Sequence, residues 1–598
     1  MILQALKEYY DRKAADPDPG IAPPGWIAQR IDYMLTIDKE GKIAGPLERL
    51  LDKRGGKKEI GWPCLVPNIG KQALKHCNSG KDANLLWDNC GFALGVGKNG
   101  EKKQQAFLDT TRQFASRVPD AGVHAICLFV ENSRNDKSFL APILQHPEWN
   151  AEIATGNPTI AFHLSGDDPI TNKFIFQRPG VKEAVATSDT QSDSAIPRKR
   201  GRCMLTGESD QPIILCHPVI KGVWGGQSSG GTIVGINKPA FCSFGKEKAA
   251  NSPIGKTAVD AYTKALNHLL REGGSQRIQV GDASTVFWSE KNSDFENQFA
   301  TFFAPSPDNP DRNTQAVKAL LNAPNTGVSP QQHEDEGMFY VLGLSPSTAR
   351  ISIRFWIASP LAEMQEQIRQ HFRDLDIIHA PYDNSVLSIF RLLVCTAPLG
   401  KAEHIPPNLE GDTMRAILEG LPYPATLLQS VIRRIKAEQS HKNSKTGKPA
   451  PHITYIRAAL IKACINRNCR FKKKAKQEEL AVSLDPNNMN IGYRLGRLFA
   501  VLERIQQAAN PGINSTIRDR YYGAASGTPS AVFGTLIKLS KHHLSKLKDG
   551  LRVHYDKALQ EIIDGINGTI AFPPHLSLED QGRFAVGYYH QMQPKKID

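Results

Sequence analysis

Residues 485–505 read DPNNMNIGYRLGRLFAVLERI: a turn-forming Asp-Pro-Asn-Asn, a lone methionine, then an apolar helix studded with arginine. Ile491, Leu495, Leu498, Phe499, Leu502 and Ile505 keep the i, i+3, i+4, i+7 rhythm of one buried helical stripe. At about 100° per residue, Arg494, Arg497 and Arg504 fall within about 80° of one another, which predicts a row of guanidiniums along one edge of that stripe. Asn510-Pro511-Gly512 ends the helix, and Thr528-Pro529 opens another. In that second helix Val532, Phe533, Leu536, Ile537, Leu544 and Leu547 oppose Lys538, Lys541 and Lys548, so one face is apolar and the other cationic. Cationic faces suit a phosphate backbone, and merely solubilising lysines make the same pattern. The stretch therefore marks the start of a helical bundle over 489–598.

Upstream, 400–488 is helical in pattern and strongly basic. From 433 to 476 there are 14 Lys or Arg against one Glu, and 14 − 1 gives this segment +13 of the chain's formal +14. With acidic partners nearly absent from the segment, the concentration predicts a nucleic-acid footprint, with Lys472, Lys473 and Lys474 as backbone-binding candidates. An anionic membrane fits less well, because the apolar positions are committed to a core. In 203–399 strands dominate: RCMLTG, PIILCHP, GTIVGINKPAF, STVFWSE, MFYVLGLS and RISIRFWIA. In the last, Ile351, Ile353 and Phe355 alternate with Ser352, Arg354 and Trp356 as in a half-buried strand. Positions 183–202 are polar and end in RKRGR, an expected linker or exposed loop. Residues 1–182 combine an opening helix with the strand-like DYMLTIDKEGKI and PTIAFHL. The fold class is α+β: mixed α/β N-terminal and central regions with antiparallel sheets, then an all-α C-terminal bundle.

At 598 residues the chain exceeds one ordinary core and should hold three or four domains. Its 40% hydrophobic content and mean hydropathy of −0.37 describe a globular protein. The opening residues lack a signal peptide's apolar run, and no apolar stretch reaches the ~18 residues of a membrane span. Ten cysteines without Cys-x-x-Cys predict a reduced, cytoplasmic protein with buried thiols. Cys464 and Cys469 are poorly spaced for zinc with His441 or His452, so neither a metal nor a cofactor is expected.

Several motifs point to enzymes and weaken on inspection. Gly95-Val96-Gly97-Lys98-Asn99-Gly100 matches the dinucleotide fingerprint, yet Asp120, the acidic residue at the required distance, follows Pro119 in a turn. The stretch 250–257, ending Gly255-Lys256-Thr257, resembles a relaxed phosphate loop. Pro253 removes one of the amides that would cradle phosphate, and no buried strand feeds the loop. A nucleotide-dependent remodeller of nucleic acid using Lys256 and Thr257 is the enzyme alternative. His333-Glu334-Asp335-Glu336 reads as a solvated acidic loop, and His542 with His543 could serve RNA processing or simply lie at the surface.

The stretch 221–231, KGVWGGQSSGG, lets backbone approach another polymer closely, while Gln and Ser can bond base edges or phosphates; a flexible hairpin loop would look the same. Candidate DNA-binding residues are Gly225, Gly226, Gln227, Ser228 and Ser229, with Asn237 and Lys246 nearby. Asn68, Lys71 and Gln72 in VPNIGKQ form a second patch, for which a surface turn is the simpler reading.

LKEYYDR, LLWDNCGFALG, IKGVWGGQSSGGTIVGINKPAFCSFGKE, YTKALNHLL, FYVLGLSPSTARISIRFW, GYRLGRLFAVLERIQQAAN, IRDRYYGAAS, TPSAVFGTLIKL and GRFAVGYYHQMQ, in this order, resemble the large subunit of the type I-C CRISPR surveillance complex (Cascade), a Csd-type family. Cys242 and Phe244 stand where that family tends to a Ser-Tyr-Gly ending. The resemblance implies a non-catalytic subunit that recognises the protospacer-adjacent motif in double-stranded DNA, promotes duplex opening and R-loop formation, and stabilises the displaced strand. It implies CRISPR RNA, backbone, guide-end and small subunits, and a recruited helicase-nuclease as partners. It also implies that the C-terminal part is made separately as the small subunit from an internal start, at Met489 or at its rivals Val482 and Met414.

Overall fold

The structure, a computed structural model, describes residues 2–16, 20–51, 61–69, 82–136, 138–145, 157–191, 200–236, 238–303, 337–348, 350–384, 386–442, 450–473, 479–566 and 572–593. It is α+β and divides into two compact units. One comprises Met1–Gly222, Gln227–His268 and Thr348–Ile351, the other Val223–Gly226, Leu269–Ser347 and Ser352–Asp598. No described helix is long and apolar enough to cross a membrane.

In the first unit, helix α1 (Ile2–Ala14) precedes strands β1 (Trp26–Ile31), β2 (Tyr33–Ile37), β3 (Ile43–Arg49), β4 (Trp62–Pro67) and β5 (Trp87–Asn89). Helices α2 (Cys90–Ala93), α3 (Gly100–Ala115), α4 (Ala121–Asn135) and α5 (Ala141–Leu144) lead to strand β6 (Thr159–Leu164). The main sheet runs β3-β2-β6-β5, with β1 and β4 as a separate antiparallel pair. Its β2 and β6 are parallel, Tyr33 opposite Ile160, because the intervening helices carry the chain across before it rejoins the sheet. Phe107 and Leu108 of α3 and Ile126, Phe129 and Val130 of α4 pack with Leu35, Ile160 and Phe162. Helix α6 (Pro179–Gln191) takes up the first half of the stretch expected as a linker.

The strands expected between 203 and 236 do not form. Strand β7 (Arg200–Gly201) pairs with β8 (Gln211–Pro212), and beyond them only the isolated bridges Ile213–Gly255, Ile220–Gly231 and Thr232–Arg350 occur among the described residues. Pro212 and Pro218 lack ladder donors, and the glycine pairs favour turns over extended runs. Helix α7 (Lys256–Leu269) follows, with Tyr262, Ala265 and Leu266 buried.

In the second unit, β9 (Arg277–Val280), β10 (Ala283–Ser289), β11 (Met338–Ser347) and β12 (Arg350–Pro360) make an antiparallel sheet ordered β12-β11-β10-β9. Helix α8 (Phe295–Phe303) packs on it through Phe295 and Phe299. Ile353, expected inward, is exposed, while Ile351 and Ile357 are buried. Then come α9 (Leu361–Leu375), α10 (Ile389–Val394), α11 (Pro407–Leu418), α12 (Ala425–Ala437), α13 (Tyr455–Phe471), α14 (Ile491–Ala509), α15 (Ile517–Gly527), α16 (Phe533–Leu544), α17 (Asp549–Asp564) and α18 (Leu578–Met592).

Helix α16 buries Phe533, Leu536 and Leu544, and the apolar stripe of α14 is buried from Leu495 to Ile505, with Ile491 half-buried. Its partner is α18, and glycines set the approach. A Cβ added at Gly492, Gly496 or Gly587 would lie well under 3.0 Å from the carbonyl oxygens of Asp580, Phe584 and Tyr493 respectively. The opposite side of α18 packs on the upstream helices, Gly582 lying against Ile461, Ile465 and Leu428. Helices before and after residue 489 therefore share one core.

Candidate nucleic-acid interface

Ile220 and Gly231 exchange two backbone hydrogen bonds, 2.7 and 2.9 Å, and close an exposed loop between them. Asn267 of α7 holds its rising side: Oδ1 accepts from Lys221 N at 2.8 Å and Nδ2 donates to Val219 O at 3.3 Å. Turns from Gly226 N to Val223 O, 3.0 Å, and from Gly230 N to Gln227 O, 2.9 Å, shape the tip. Gly225 at φ 71° and Gly230 at φ 85° take left-handed conformations that cost other residues strain. Gly225, Gly226, Gln227, Ser228 and Ser229 are all exposed. Val223–Gly226 cluster with the second unit, where Trp224 N donates to Ser284 Oγ at 2.7 Å.

Within the first unit, Ile351 N donates to Thr232 O at 3.0 Å, and the Arg350 guanidinium lies 4.8 Å over the Phe241 ring. A tight turn follows, closed by Lys246 N to Ser243 O at 3.0 Å. Asn251 clamps it: Oδ1 accepts from Ser243 N at 2.9 Å, and Nδ2 donates to Lys246 O at 2.9 Å and Lys248 O at 3.0 Å. Lys238, Phe244, Lys246 and Lys248 are exposed. Sequence reasoning found Lys246 alone of this cluster. The Ser-Phe-Gly-Lys turn, with an aromatic where no apolar rhythm needs one, was the available signal.

The arginine row of α14 is not at the surface. Arg494 and Arg497 are 4% and 1% exposed, and each guanidinium is engaged within the fold. Arg494 donates to Ile562 O at 3.2 Å and Pro486 O at 3.1 Å, capping the C-terminus of α17, where a Cβ at Gly565 would overlap its guanidinium. Arg497 bonds Gln591 Oε1 at 3.0 Å and Glu561 at 2.7 Å. Arg504 donates to Met592 O at 2.8 Å at the end of α18. The expected phosphate row is thus a set of helix caps and ties. Periodicity placed these residues at the edge of the stripe, but α17 and α18 cover that edge.

Part of the basic segment 433–476 is likewise drawn into the fold. Arg457, Lys462 and Arg467 are buried. Arg457 donates to His452 O at 2.8 Å and pairs with Glu438 at 2.6 Å. Arg467 pairs with Asp374 at 3.3 Å, and Arg470 with Asp374 and Glu479. Lys462 Nζ donates to Asp374 O at 3.1 Å, and burial lowers its pKa. Arg457 is held by Glu438 and a carbonyl of its own segment, whereas Lys462, Arg467 and Arg470 find Asp374 or Glu479 outside it, which counting charge inside one segment cannot see. Lys472 pairs with Glu579 at 2.8 Å, while Lys473, Lys538, Lys541 and Lys548 are exposed.

The family model described as CRISPR-associated protein (Cas_Csd1) matches residues 6–595. The chain belongs to the CRISPR-associated Csd1 family. This agrees with the resemblance to the Csd-type large subunit carried by the sequence motifs. No curated protein matches it.

In this Csd1-family chain the phosphate-loop patterns have local structural roles. Gly95 and Gly97 turn the chain from α2 into α3, helix to helix, and a Cβ at Gly100 would overlap Gly95 O. Asp120 caps α4 through Gly122 N at 2.8 Å and pairs with Arg178 at 2.9 Å, so it does not end a second strand. Residues 250–257 begin within a single 3-10 turn, Lys248–Asn251, and Gly255 N donates to Cys203 Sγ at 3.2 Å. Cys464 and Cys469 are buried in α13, and burial pushes the Cys464 thiol up to about 12. Among the described residues no three His, Cys, Asp or Glu could hold a metal ion. His543 Nδ1 lies 3.3 Å from Asn510 Nδ2, and His542 is exposed. Asn68 is half-buried, its N donating to Gly25 O at 2.7 Å. Lys71, Gln72, Asn237, Lys474 and the 333–336 cluster lie outside the described residues.

Proposed function

We propose that the chain is the non-catalytic large subunit of a type I-C CRISPR RNA-guided surveillance complex. It reads the protospacer-adjacent motif in target double-stranded DNA, promotes duplex opening and R-loop formation, stabilises the displaced strand and recruits the helicase-nuclease. The observation that carries this reading is the family match across 6–595. The exposed glycine-serine loop and lysine turn support it. In RNA-guided recognition base pairing reads the target, so the protein need only read a short flanking motif and grip the backbone. CRISPR RNA and the backbone, guide-end and small subunits are its partners in this reading. Reconstitution with and without the chain, read out by R-loop formation on a target duplex, tests it; equal opening without the chain sinks it.

The same reading makes the C-terminal helices a separately translated small subunit. Met414 is buried within α11, and a start there would cut that helix. Met489 directly precedes Asn490, whose side chain accepts from Tyr493 N at 3.2 Å as the cap of α14, so a start there keeps the helix whole. A start at Val482 also keeps the bond from Asp485 N to Tyr493 OH at 3.1 Å. Met489 and Val482 are therefore the better candidates. Intact-mass measurement of the purified complex decides; full-length chains alone would contradict the idea.

A further inference from the structure

The turn Ser243-Phe244-Gly245-Lys246 carries a residue that its conformation disfavours. Phe244 sits at φ 52° and Gly245 at φ 64°. Turns with positive φ at both central positions are built from Asn, Asp and Gly, and a bulky residue at the first is an outlier. The ring receives no burial in return, being 95% exposed. The turn is nevertheless firmly held, since the Asn251 side chain bonds Ser243 N and Lys246 O at its two ends and Lys248 O just beyond it. A bulky, strained, uncovered aromatic on a clamped turn points to a contact outside the chain.

The surroundings narrow the chemistry of that contact. Lys246 at the end of the turn and Lys248, which opens the 3-10 turn after it, are both exposed, with Glu247 the one acid between them. Phe241, three residues upstream, already has the Arg350 guanidinium over its ring, whereas the Phe244 ring stands open. Cations beside an open aromatic face match a nucleic-acid strand, whose bases stack while its phosphates meet the ammonium groups. A purely apolar protein pocket would give the lysines no counter-charge.

We propose that Phe244 is a stacking tip for an unpaired nucleobase at a duplex junction, with Lys246 and Lys248 meeting the adjoining phosphates. This rests on the DNA-binding reading above and names the residue that touches the opened base. Asn251 is a positioning residue, acting through the turn.

The test uses the full chain assembled in its complex and two duplexes, one fully paired and one carrying a single unpaired 2-aminopurine. Phe244→Asn removes the ring and suits the positive φ, so its melting temperature should not fall; Phe244→Tyr keeps the ring. Wild type should quench the 2-aminopurine and bind that duplex more tightly than the paired one. Phe244→Asn should lose the quenching and bind it roughly tenfold more weakly, paired DNA being unaffected, while Phe244→Tyr stays close to wild type. Unchanged quenching and affinity in Phe244→Asn overturns the proposal and leaves the DNA-binding reading standing. Failure of wild type to bind either duplex overturns both. Loss of a protein subunit from the Phe244→Asn complex, with DNA affinity intact, would make the tip a protein-docking element and also overturn the proposal.

Discussion

Gly496 of α14 faces the carbonyl oxygen of Phe584 in α18 with no room for a Cβ between them. The two helix backbones touch there, so glycine is required by spacing and not by φ. The contact repeats at Gly492 and Gly587, and it sets the geometry from which the arginines of α14 reach the ends of α17 and α18.

Gly496→Ala should therefore force the helices apart and destabilise the second unit by about 3 kcal/mol. Gly550, near the start of α17, has nothing within 4 Å of an added Cβ, and Gly550→Ala should gain about 0.5–1 kcal/mol from helix propensity. Urea unfolding of the two variants checks the contrast, and equal effects would show that the close approach is not holding the helices.

Arg497 and the exposed lysines of α16 and of the start of α17 should separate cleanly. Arg497→Met removes a buried tie to Gln591 and Glu561 and should lower stability by about 1–2 kcal/mol. It should leave the salt dependence of DNA binding unchanged. Neutralising Lys538, Lys541 and Lys548 should leave stability nearly unaltered, and if all three meet phosphates it lowers the slope of log K against log salt by roughly 2–3. A changed slope for Arg497→Met, with stability intact, would return that arginine to the DNA surface.

Acid should weaken the second unit through its buried histidines. Burial lowers His371 to about 3 and His590 to about 4 from an ordinary 6.5, and it also depresses His452. Folded, these rings stay neutral, whereas the unfolded chain takes up protons below about pH 6.5. Their contribution is complete above that pH and is lost as pH falls toward 4, at about 1.4 kcal/mol per pH unit for each histidine. Melting temperatures between pH 7 and pH 5 test this, and a flat profile contradicts it.

A fragment beginning at Val482 should fold its α14–α18 pairing but bare the side of α18 that meets Leu428, Ile461 and Ile465. Alone it should bind a hydrophobic dye or self-associate, and addition of its complex partners should suppress both. A dye-silent, monomeric fragment would mean that this face repacks.

Local rules were legible where one helix decides its own fate. The stripe from Ile491 to Ile505, the stop at Asn510 and the apolar face from Val532 to Leu544 all hold. What failed depended on partners distant in sequence. Arg467 lost its solvated appearance to Asp374 on α9, and Arg494 to the end of α17. GTIVGIN had a strand's composition but no continuous neighbour, so its described residues form only the isolated bridges at Gly231 and Thr232. Phe244 stood out only as a departure from the family's Ser-Tyr-Gly ending, because exposure cannot be read from an aromatic residue until the turn around it is known.

The central claim is that this chain reads duplex DNA beside the guide-paired target. Its most direct test is permanganate footprinting of R-loops formed by complexes carrying wild type or Gln227→Ala/Ser228→Ala/Ser229→Ala, on targets with and without the flanking motif. The account predicts that wild type opens motif-bearing targets selectively and that the variant, folded and assembled, loses this selectivity. Equal selectivity in both complexes would contradict the assignment of this loop, and opening that ignores the motif even with wild type would contradict the claim itself.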